Sequence, residues 1–121
     1  MTDSSPNKEL EPDVTFNAAS GLLKLEGRSL MRDVQDFYQP IIDQLDKTTV
    51  PTYIIDIKLE HFNTGTARCL YQIFQILNGK KQMGATVLIR WFSDEGDEDH
   101  KELGEDLESK AGIPFQYVKN K

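Results

Sequence analysis

The sequence lacks most of the residues from which metal and redox sites are built. Its 121 residues include one cysteine, Cys69, and two histidines, His61 and His100. A single cysteine excludes an intramolecular disulfide and a Cys-x-x-Cys site. The two histidines do not have the spacing of a zinc pair, and no cysteine cluster completes one. We therefore expect no metal and no cofactor.

Basic charge and long apolar runs are also scarce. The chain has 14 lysines and arginines against 20 acidic residues, a formal net charge of -6 and a pI near 4.8. Nucleic acids and anionic membranes attract basic surfaces, so neither is an expected partner. No apolar run approaches the roughly 18 residues of a membrane span, and residues 1–12 lack the apolar core of a signal peptide. We expect a soluble, cytoplasmic protein.

Motifs that carry catalysis are missing as well. No Gly-x-Ser-x-Gly segment is present, and neither Gly27 nor Gly65 opens a phosphate-binding glycine loop. The acidic run Asp94–Asp99 lacks the Asp-x-Asp-x-Asp-Gly order of a calcium loop, and we interpret it as a solvated loop or a charged docking edge. The sequence indicates that the protein is not an enzyme. The alternative is that the protein is an enzyme after all, a small metal-dependent hydrolase that uses Asp97 and Asp99.

The chain length is that of one domain with a core of its own. Residues 1–13 are rich in Ser, Pro, Asn and charge, a composition that predicts a disordered tail. Residues 14–121 are predicted to form a single regulatory domain.

Apolar alternation predicts five strands. Val14–Phe16 and Gly21–Leu25 indicate an N-terminal hairpin, and Gly27 to Ser29 should end its second strand. The remaining strands are predicted at Tyr53–Leu59, Ala85–Phe92 and Phe115–Val118.

Apolar residues at three- and four-residue spacing predict three helices. The first carries a stripe from Val34 to Leu45, and Pro40 should kink or divide it. The others are predicted at Thr64–Lys81 and Asp99–Lys110. The expected buried residues are Ala67, Leu70, Tyr71, Phe74 and Leu77 in the second helix, where Ile73 and Ile76 widen the apolar face, and Leu103, Leu107 and Ala111 in the third.

The order of elements favours one fold class. A hairpin followed by alternating helices and strands predicts an α/β protein with a mixed, mostly parallel sheet and an antiparallel edge. This is a STAS-like α/β sandwich with three helices. The strand order does not follow from the pattern.

The junction after the strand Tyr53–Leu59 carries the most informative segment, His61–Arg68. Asn and Thr at a helix start accept hydrogen bonds from otherwise unpaired backbone N–H groups. The same N–H groups and the helix dipole favour an anion, so a phosphate on Thr64 or Thr66 would be tolerated there. The alternative is that these residues only cap the helix.

Three segments together resemble the SiaC family of bacterial regulatory phosphoproteins, over a span from about Leu23 to Phe115. They are Leu25–Ser29 with Phe37–Asp43; Leu59–Arg68; and Arg90–Phe92 with Asp97–Asp99 and Gly104–Asp106.

This resemblance implies a protein switched by phosphorylation. In the family, a partner-switching kinase phosphorylates the threonine of an Asn-Thr motif and a PPM-type phosphatase removes the phosphate. The unphosphorylated form engages an effector, which for SiaC-type proteins is a diguanylate cyclase controlling biofilm growth. The acceptor then falls on Thr64. Gly65-Thr66 replaces the usual Ser-Ser, so Thr66 is the alternative acceptor, and residues 31–33 (Met-Arg-Asp) replace the usual Pro-Glu-Asn.

A partner-binding surface is predicted around the same junction and the acidic run. Its members are Asn63, Gly65, Thr66, Arg68, Asp97, Glu98 and Asp99. The rival hypothesis is a scaffold that binds partners without phosphorylation, in which Thr64 is only a cap.

Overall fold

The computed structural model describes residues 10–120, which form five strands and three helices in the predicted order. The elements are β1 (Asp13–Asn17), β2 (Leu22–Ser29), α1 (Val34–Lys47), β3 (Thr52–Phe62), α2 (Thr64–Gln82), β4 (Thr86–Ser93), α3 (Glu98–Ala111) and β5 (Phe115–Lys119). Of the predicted tail, residues 1–9 lie outside the described residues, and Asp13 is the first residue of β1.

The sheet confirms the predicted fold class. Its strand order is β1-β2-β3-β4-β5, with β1 antiparallel to β2 and every other pair parallel. Strands therefore follow one another across the sheet, an order that the sequence pattern left open. Right-handed crossovers between successive neighbours place α1, α2 and α3 on the same face, and α2 packs between the other two helices.

Side-chain alternation in β3 separates the core from the open face of the sheet. Tyr53, Ile55, Ile57 and Leu59 are at most 1% exposed and point toward the helices. The central helix α2 covers them with a stripe made of Leu70, Ile73, Phe74 and Leu77, all fully buried. These apolar contacts between β3 and α2 fix where α2 begins relative to the end of β3.

An ion pair occupies the opposite face of the sheet. Arg90 of β4 donates from Nε and Nη2 to the two carboxylate oxygens of Asp56 in β3, at 2.6 and 2.8 Å. Asp56 is only 8% exposed, and its bidentate partner compensates the burial of its charge. Charged residues can thus occupy a central strand without facing the core.

Two predicted interruptions do not occur. Helix α1 is continuous through Pro40, which is exposed, so the lost N–H costs one hydrogen bond on the solvent side and does not divide the helix. Strand β2 runs through Gly27 to Ser29, because Gly27 adopts a positive φ of 112°.

A β-bulge accompanies that extension of β2. The pairing advances from Gly27–Leu59 to Arg28–His61, so Glu60 is an extra residue in β3. A bulge of this kind reverses which side of the sheet the following residues face. Phe62 consequently packs against Trp91.

The helix faces differ from the prediction at three positions. Tyr71 is 36% exposed, Leu103 is 48% exposed and Ala67 is half-buried, because the buried stripes are rotated relative to the predicted ones. In α3 the stripe consists of His100, Gly104, Leu107 and Ala111. The buried stripe of α3 therefore includes a polar ring and a glycine, and it leaves out Leu103.

Gly104 allows α3 to approach the sheet closely. A Cβ at this position would lie 2.7 Å from Cδ1 and Nε1 of Trp91. The Trp91 Nε1–H donates to the backbone oxygen of His100 at 3.1 Å, so the indole ring lies directly under the first turns of α3.

We expect Gly104→Ala to lower the free energy of unfolding by about 1–3 kcal/mol, since the methyl group would displace Trp91 or the helix. The matched control is Gly79→Ala in α2, where a Cβ would meet nothing within 4 Å. That variant should gain up to about 1 kcal/mol from helix propensity. Chemical denaturation measures both, and a Gly104→Ala protein as stable as the parent would contradict the close contact.

Candidate functional site

The starts of all three helices lie at the edge where the parallel strands end, the usual position of sites in such sheets. Asn63 follows β3 directly and is the N-cap of α2: its Oδ1 accepts from the Thr66 N–H at 2.8 Å. Its Nδ2 donates to the Met31 carbonyl at 3.1 Å. One side chain thus joins the start of α2 to the loop before α1.

Thr66 lies inside the molecule. It is 0% exposed, and its Oγ1 lies 2.6 Å from Ser29 Oγ, 2.9 Å from the Ser29 carbonyl and 3.0 Å from Asn63 Oδ1. A threonine hydroxyl has one proton to donate and two lone pairs. Its proton is therefore committed to an internal acceptor, and its oxygen is screened from solvent.

Tyr38 of α1 completes this buried hydroxyl network. Its Oη lies 2.8 Å from Ser29 Oγ. Burial raises the pKa of Tyr38 to about 12, although its hydrogen bond with Ser29 opposes the shift. The phenol is consequently protonated at neutral pH, and the network of Ser29, Tyr38, Asn63 and Thr66 joins β2, α1 and α2 without any ionised group.

Thr64 has the opposite environment. It is the first residue of α2 and is exposed, and its side chain makes no hydrogen bond to another residue in 10–120. The next residue is constrained, since a Cβ on Gly65 would lie 2.5 Å from Val34 Cγ1 at the start of α1. Glycine at this position therefore lets α1 and α2 begin in contact beside the exposed hydroxyl.

The acidic run lines two neighbouring cavities at the start of α3. Asp97 is the N-cap of α3 and accepts from the His100 N–H at 3.1 Å. Asp97 lines both cavities, Asp99 lines only the first, and Glu98 lines only the second, beside Lys101. The three predicted partner-binding carboxylates therefore surround the start of α3, with Asp97 between the other two.

The first of these cavities brings the start of α3 next to the residues that precede Thr64. It has a volume of about 250 Å³ and is lined by Glu60, His61, Phe62, Asp97, Asp99, His100 and Leu103. We call it the α3 cavity. Arg68 lies on α2, one turn beyond Thr64, and is exposed but outside this cavity.

His100 is a part of the site that the sequence did not single out. It is 7% exposed, and its ring stacks on Trp91 with centroids 5.2 Å apart. Its Nε2 has no hydrogen-bond partner within residues 10–120. Burial lowers the pKa of His100 below its usual value, with Asp97 opposing the shift and His61 adding to it. The imidazole is accordingly neutral at pH 7.

Ser29 and Tyr38 were also missed. The alternation of Leu23 and Leu25 continues in steps of two to Ser29, which would have placed its hydroxyl on the core side. Tyr38 belongs to an apolar helix stripe, where only its hydroxyl group indicates the need for a polar partner.

Residues 10–120 lack the features of two other protein classes. Within residues 10–120, no group of three or more His, Cys, Asp or Glu side chains is arranged to hold a metal ion. Across the same residues, the helices are too short or too polar to cross a membrane.

Comparison with known proteins decides the family. The model of the family described as SiaC family regulatory phosphoprotein matches residues 5–120. The chain belongs to the SiaC family. An uncharacterized protein of Pseudomonas aeruginosa is 23% identical to it over 113 residues, which cover 91% of this chain and 90% of that protein.

Solved SiaC structures share the fold. Apo-SiaC from Pseudomonas aeruginosa matches with a TM-score of 0.82 and 22% identity, covering 98% of this chain and 99% of that one. A chain in the crystal structure of the diguanylate cyclase SiaD in complex with its activator SiaC, from the same organism, matches with a TM-score of 0.85 and 22% identity. That match covers 96% of this chain and 98% of the other.

Replacing each threonine of the SiaC-family junction by valine tests the two environments. Thr66→Val should lower the free energy of unfolding by about 1–3 kcal/mol, because the hydrogen bonds of the buried hydroxyl to Ser29 and Asn63 would be lost. Thr64→Val is the matched control and should change it by less than about 0.5 kcal/mol. Thermal and chemical denaturation measure both; equal effects would mean that Thr66 is not held by the network.

The lowered pKa of His100 predicts a pH dependence of stability. The unfolded chain binds a proton at this residue near pH 6.5, whereas the folded chain does so only at lower pH, so stability should fall as the pH drops below about 6.5. His100→Phe keeps an aromatic ring on Trp91 and should remove this part of the decline. His61→Gln, at an exposed position, should keep most of it, because burial of His100 is the main cause of the shift. Denaturation between pH 7 and pH 5 measures the effect, and identical slopes for the parent and His100→Phe would contradict the assignment.

Proposed function

We propose that this chain is a non-enzymatic regulatory phosphoprotein of a partner-switching pathway, with Thr64 as its phosphoacceptor. A protein kinase phosphorylates Thr64, and a PPM-type phosphatase removes the phosphate. The unphosphorylated form binds an effector protein, such as a diguanylate cyclase. Family membership supports the class of function, and the contrast between Thr64 and Thr66 supports the choice of residue.

That contrast is the observation that carries the proposal. A kinase has to bring the acceptor hydroxyl into line with the γ-phosphate of its nucleotide. The Thr64 hydroxyl is exposed at the first residue of α2. The Thr66 hydroxyl is fully buried and bonded to Ser29 and Asn63, so its phosphorylation would require the first turn of α2 to open.

The start of α2 also favours the product of the reaction. Thr66 and Ala67 donate their N–H groups to Asn63, which leaves the N–H groups of Thr64 and Gly65 as the donors of the first turn. These donors and the helix dipole stabilise a nearby anion. Phosphate therefore adds about 1.5 to 2 negative charges to the surface without a need to refold it.

The effector surface follows from the same geometry. Asn63, Gly65 and Arg68 surround the acceptor, and Asp97 and Asp99 extend this surface to α3, with Glu98 on its far side. Thr66 contributes to this surface indirectly, because its buried hydroxyl stabilises the first turn of α2. SiaD, the partner of a structurally similar SiaC, is a diguanylate cyclase, which makes this class of enzyme the first effector to test.

A phosphate at an effector interface should weaken binding strongly, because a charge would be desolvated where a hydroxyl had been. We expect Thr64→Asp to bind a co-purifying diguanylate cyclase on the order of a hundredfold more weakly than the parent. Thr64→Ala cannot be phosphorylated at this position, so it should bind the cyclase whether or not the kinase is active in the cell. Titration calorimetry with the purified partners measures both affinities.

Mass spectrometry of the protein isolated from its own cells locates the phosphate independently. Thr64→Ala should carry none, and Thr66→Ser, which keeps a hydroxyl group in the network, should be phosphorylated like the parent. A phosphate on residue 66 would move the acceptor and would mean that the first turn of α2 opens for the kinase. If neither threonine is ever phosphorylated and Thr64→Asp binds like the parent, the protein is a scaffold that does not depend on phosphorylation.

A further inference from the structure

Strand β1 forms an edge of the sheet that no other strand of residues 10–120 covers. It stands first in the order β1-β2-β3-β4-β5, and its partner within these residues is β2 alone. Alternate residues of such a strand direct their backbone N–H and C=O groups away from the sheet. These groups are available to another extended segment, which would lengthen the sheet by pairing with β1.

The opposite edge of the sheet is protected. On β5, the Phe115 N–H donates to one carboxylate oxygen of Glu108 at 2.8 Å, and the Tyr117 hydroxyl donates to the other oxygen. Lys119 ends the same strand, and a lysine at an edge discourages further pairing. Strand β1 has the sequence Asp-Val-Thr-Phe-Asn, with no lysine and no proline. The two edges therefore differ, and β1 is the one suited to pairing.

The side of β1 that faces the helices is apolar and partly uncovered. Val14 and Phe16 point to this side, since their partners in β2 are core leucines. Val14 is nevertheless 36% exposed, and Phe16 is half-buried. The half-buried Phe37 of α1 lines a cavity with Glu11, which lies just before β1, and Ile41 follows one turn later on the same side of that helix. A strand added beside β1 would bury apolar surface as well as pair its backbone.

The sequence of β1 is complementary to itself in the antiparallel direction. When two copies pair about Thr15, this residue lies opposite its counterpart in the second copy. Val14 then lies opposite Phe16 of the second copy on the helix side of the sheet. On the other side, Asp13 lies opposite Asn17. Pairs of threonines, and pairs of a β-branched with an aromatic side chain, stabilise neighbouring strands. No two like charges face each other in this register.

The distribution of charge also allows two copies to meet at this edge. Residues 94–108 contain nine of the 20 acidic residues and only one of the 14 basic ones. They form the loop before α3 and most of that helix, which packs on β4 and β5. This acidic part therefore lies at the far end of the sheet from β1. The rest of the chain carries a small excess of positive charge, so the net charge of the molecule does not oppose contact at β1.

We propose that β1 pairs antiparallel with β1 of a second copy of this chain, so that two five-stranded sheets join into one sheet. The two-fold axis passes through the pair of Thr15 residues. The pairing adds about four to six backbone hydrogen bonds and brings Val14 of each copy onto Phe16 of the other. Because both copies use the same edge, the assembly closes as a dimer. Thr64 follows β3, two strands away from this edge, so each copy keeps an accessible phosphoacceptor.

Analytical ultracentrifugation of the full chain over a series of concentrations tests the proposal. The parent should approach twice the monomer mass as its concentration rises. Thr15→Glu should weaken the dimer about tenfold or more, because two glutamates would lie opposite each other across the interface. Within one chain the new carboxylate lies opposite Lys24, so the fold should persist. The matched control is Gln116→Glu, which adds the same charge on β5 opposite Arg90 and should dimerise like the parent.

A charge swap tests the register itself. Thr15→Lys should also weaken the dimer, since two lysines would meet at the axis. An equimolar mixture of Thr15→Glu and Thr15→Lys should restore association, because opposite charges then face each other in the mixed dimer. Circular dichroism and thermal denaturation establish that both variants are folded. A parent that stays monomeric at every concentration, an equal loss in Gln116→Glu, or a mixture that shows no recovery would overturn the proposal.

Discussion

The contact between Thr66 and Ser29 is the one on which the helix junction depends. It joins the end of β2 to the first turn of α2, and Tyr38 extends it to α1. Buried hydroxyl groups cost free energy unless each finds a partner, so these side chains are stable only in one mutual arrangement. The exposed surface above them has a defined shape because of this polar layer.

Two threonines separated by a single residue have opposite roles for a geometrical reason. Successive residues of an α-helix are rotated by about 100°, so Thr64 and Thr66 point to nearly opposite sides of α2. Asn63 stabilises this arrangement by accepting from both the N–H and the hydroxyl of Thr66. The hydroxyl that supports the turn and the hydroxyl offered to the surroundings are therefore distinct, and changing one need not disturb the other.

Much of the fold could be predicted from the sequence because its patterns are local. Alternation in Tyr53–Leu59 and the helical stripe through Phe74 report directly on which side of an element is buried. Tyr71 and Leu103 were misplaced because each lies next to a buried position on its helix, and a stripe rotated by one residue fits the pattern equally well. The bulge at Glu60 was missed since it depends on the pairing of two strands.

The site was predictable to a similar extent. Asn63 could be recognised as the helix cap because capping depends on neighbouring residues in the chain. The bond between Ser29 and Thr66 spans 37 residues, and no periodicity in the sequence records such a distance. The orphaned Nε2 of His100 was equally hidden, because it depends on what surrounds the ring rather than on its place in α3.

The position of Trp91 gives this protein a built-in optical reporter. It is the single tryptophan of the chain, it is fully buried, and its indole is stacked on His100 and bonded to the backbone of α3. Indole fluorescence responds to solvent and to a neighbouring imidazolium group. The emission of this one residue therefore follows the docking of α3 and the charge of His100 in solution, without any label attached to the surface that partners would use.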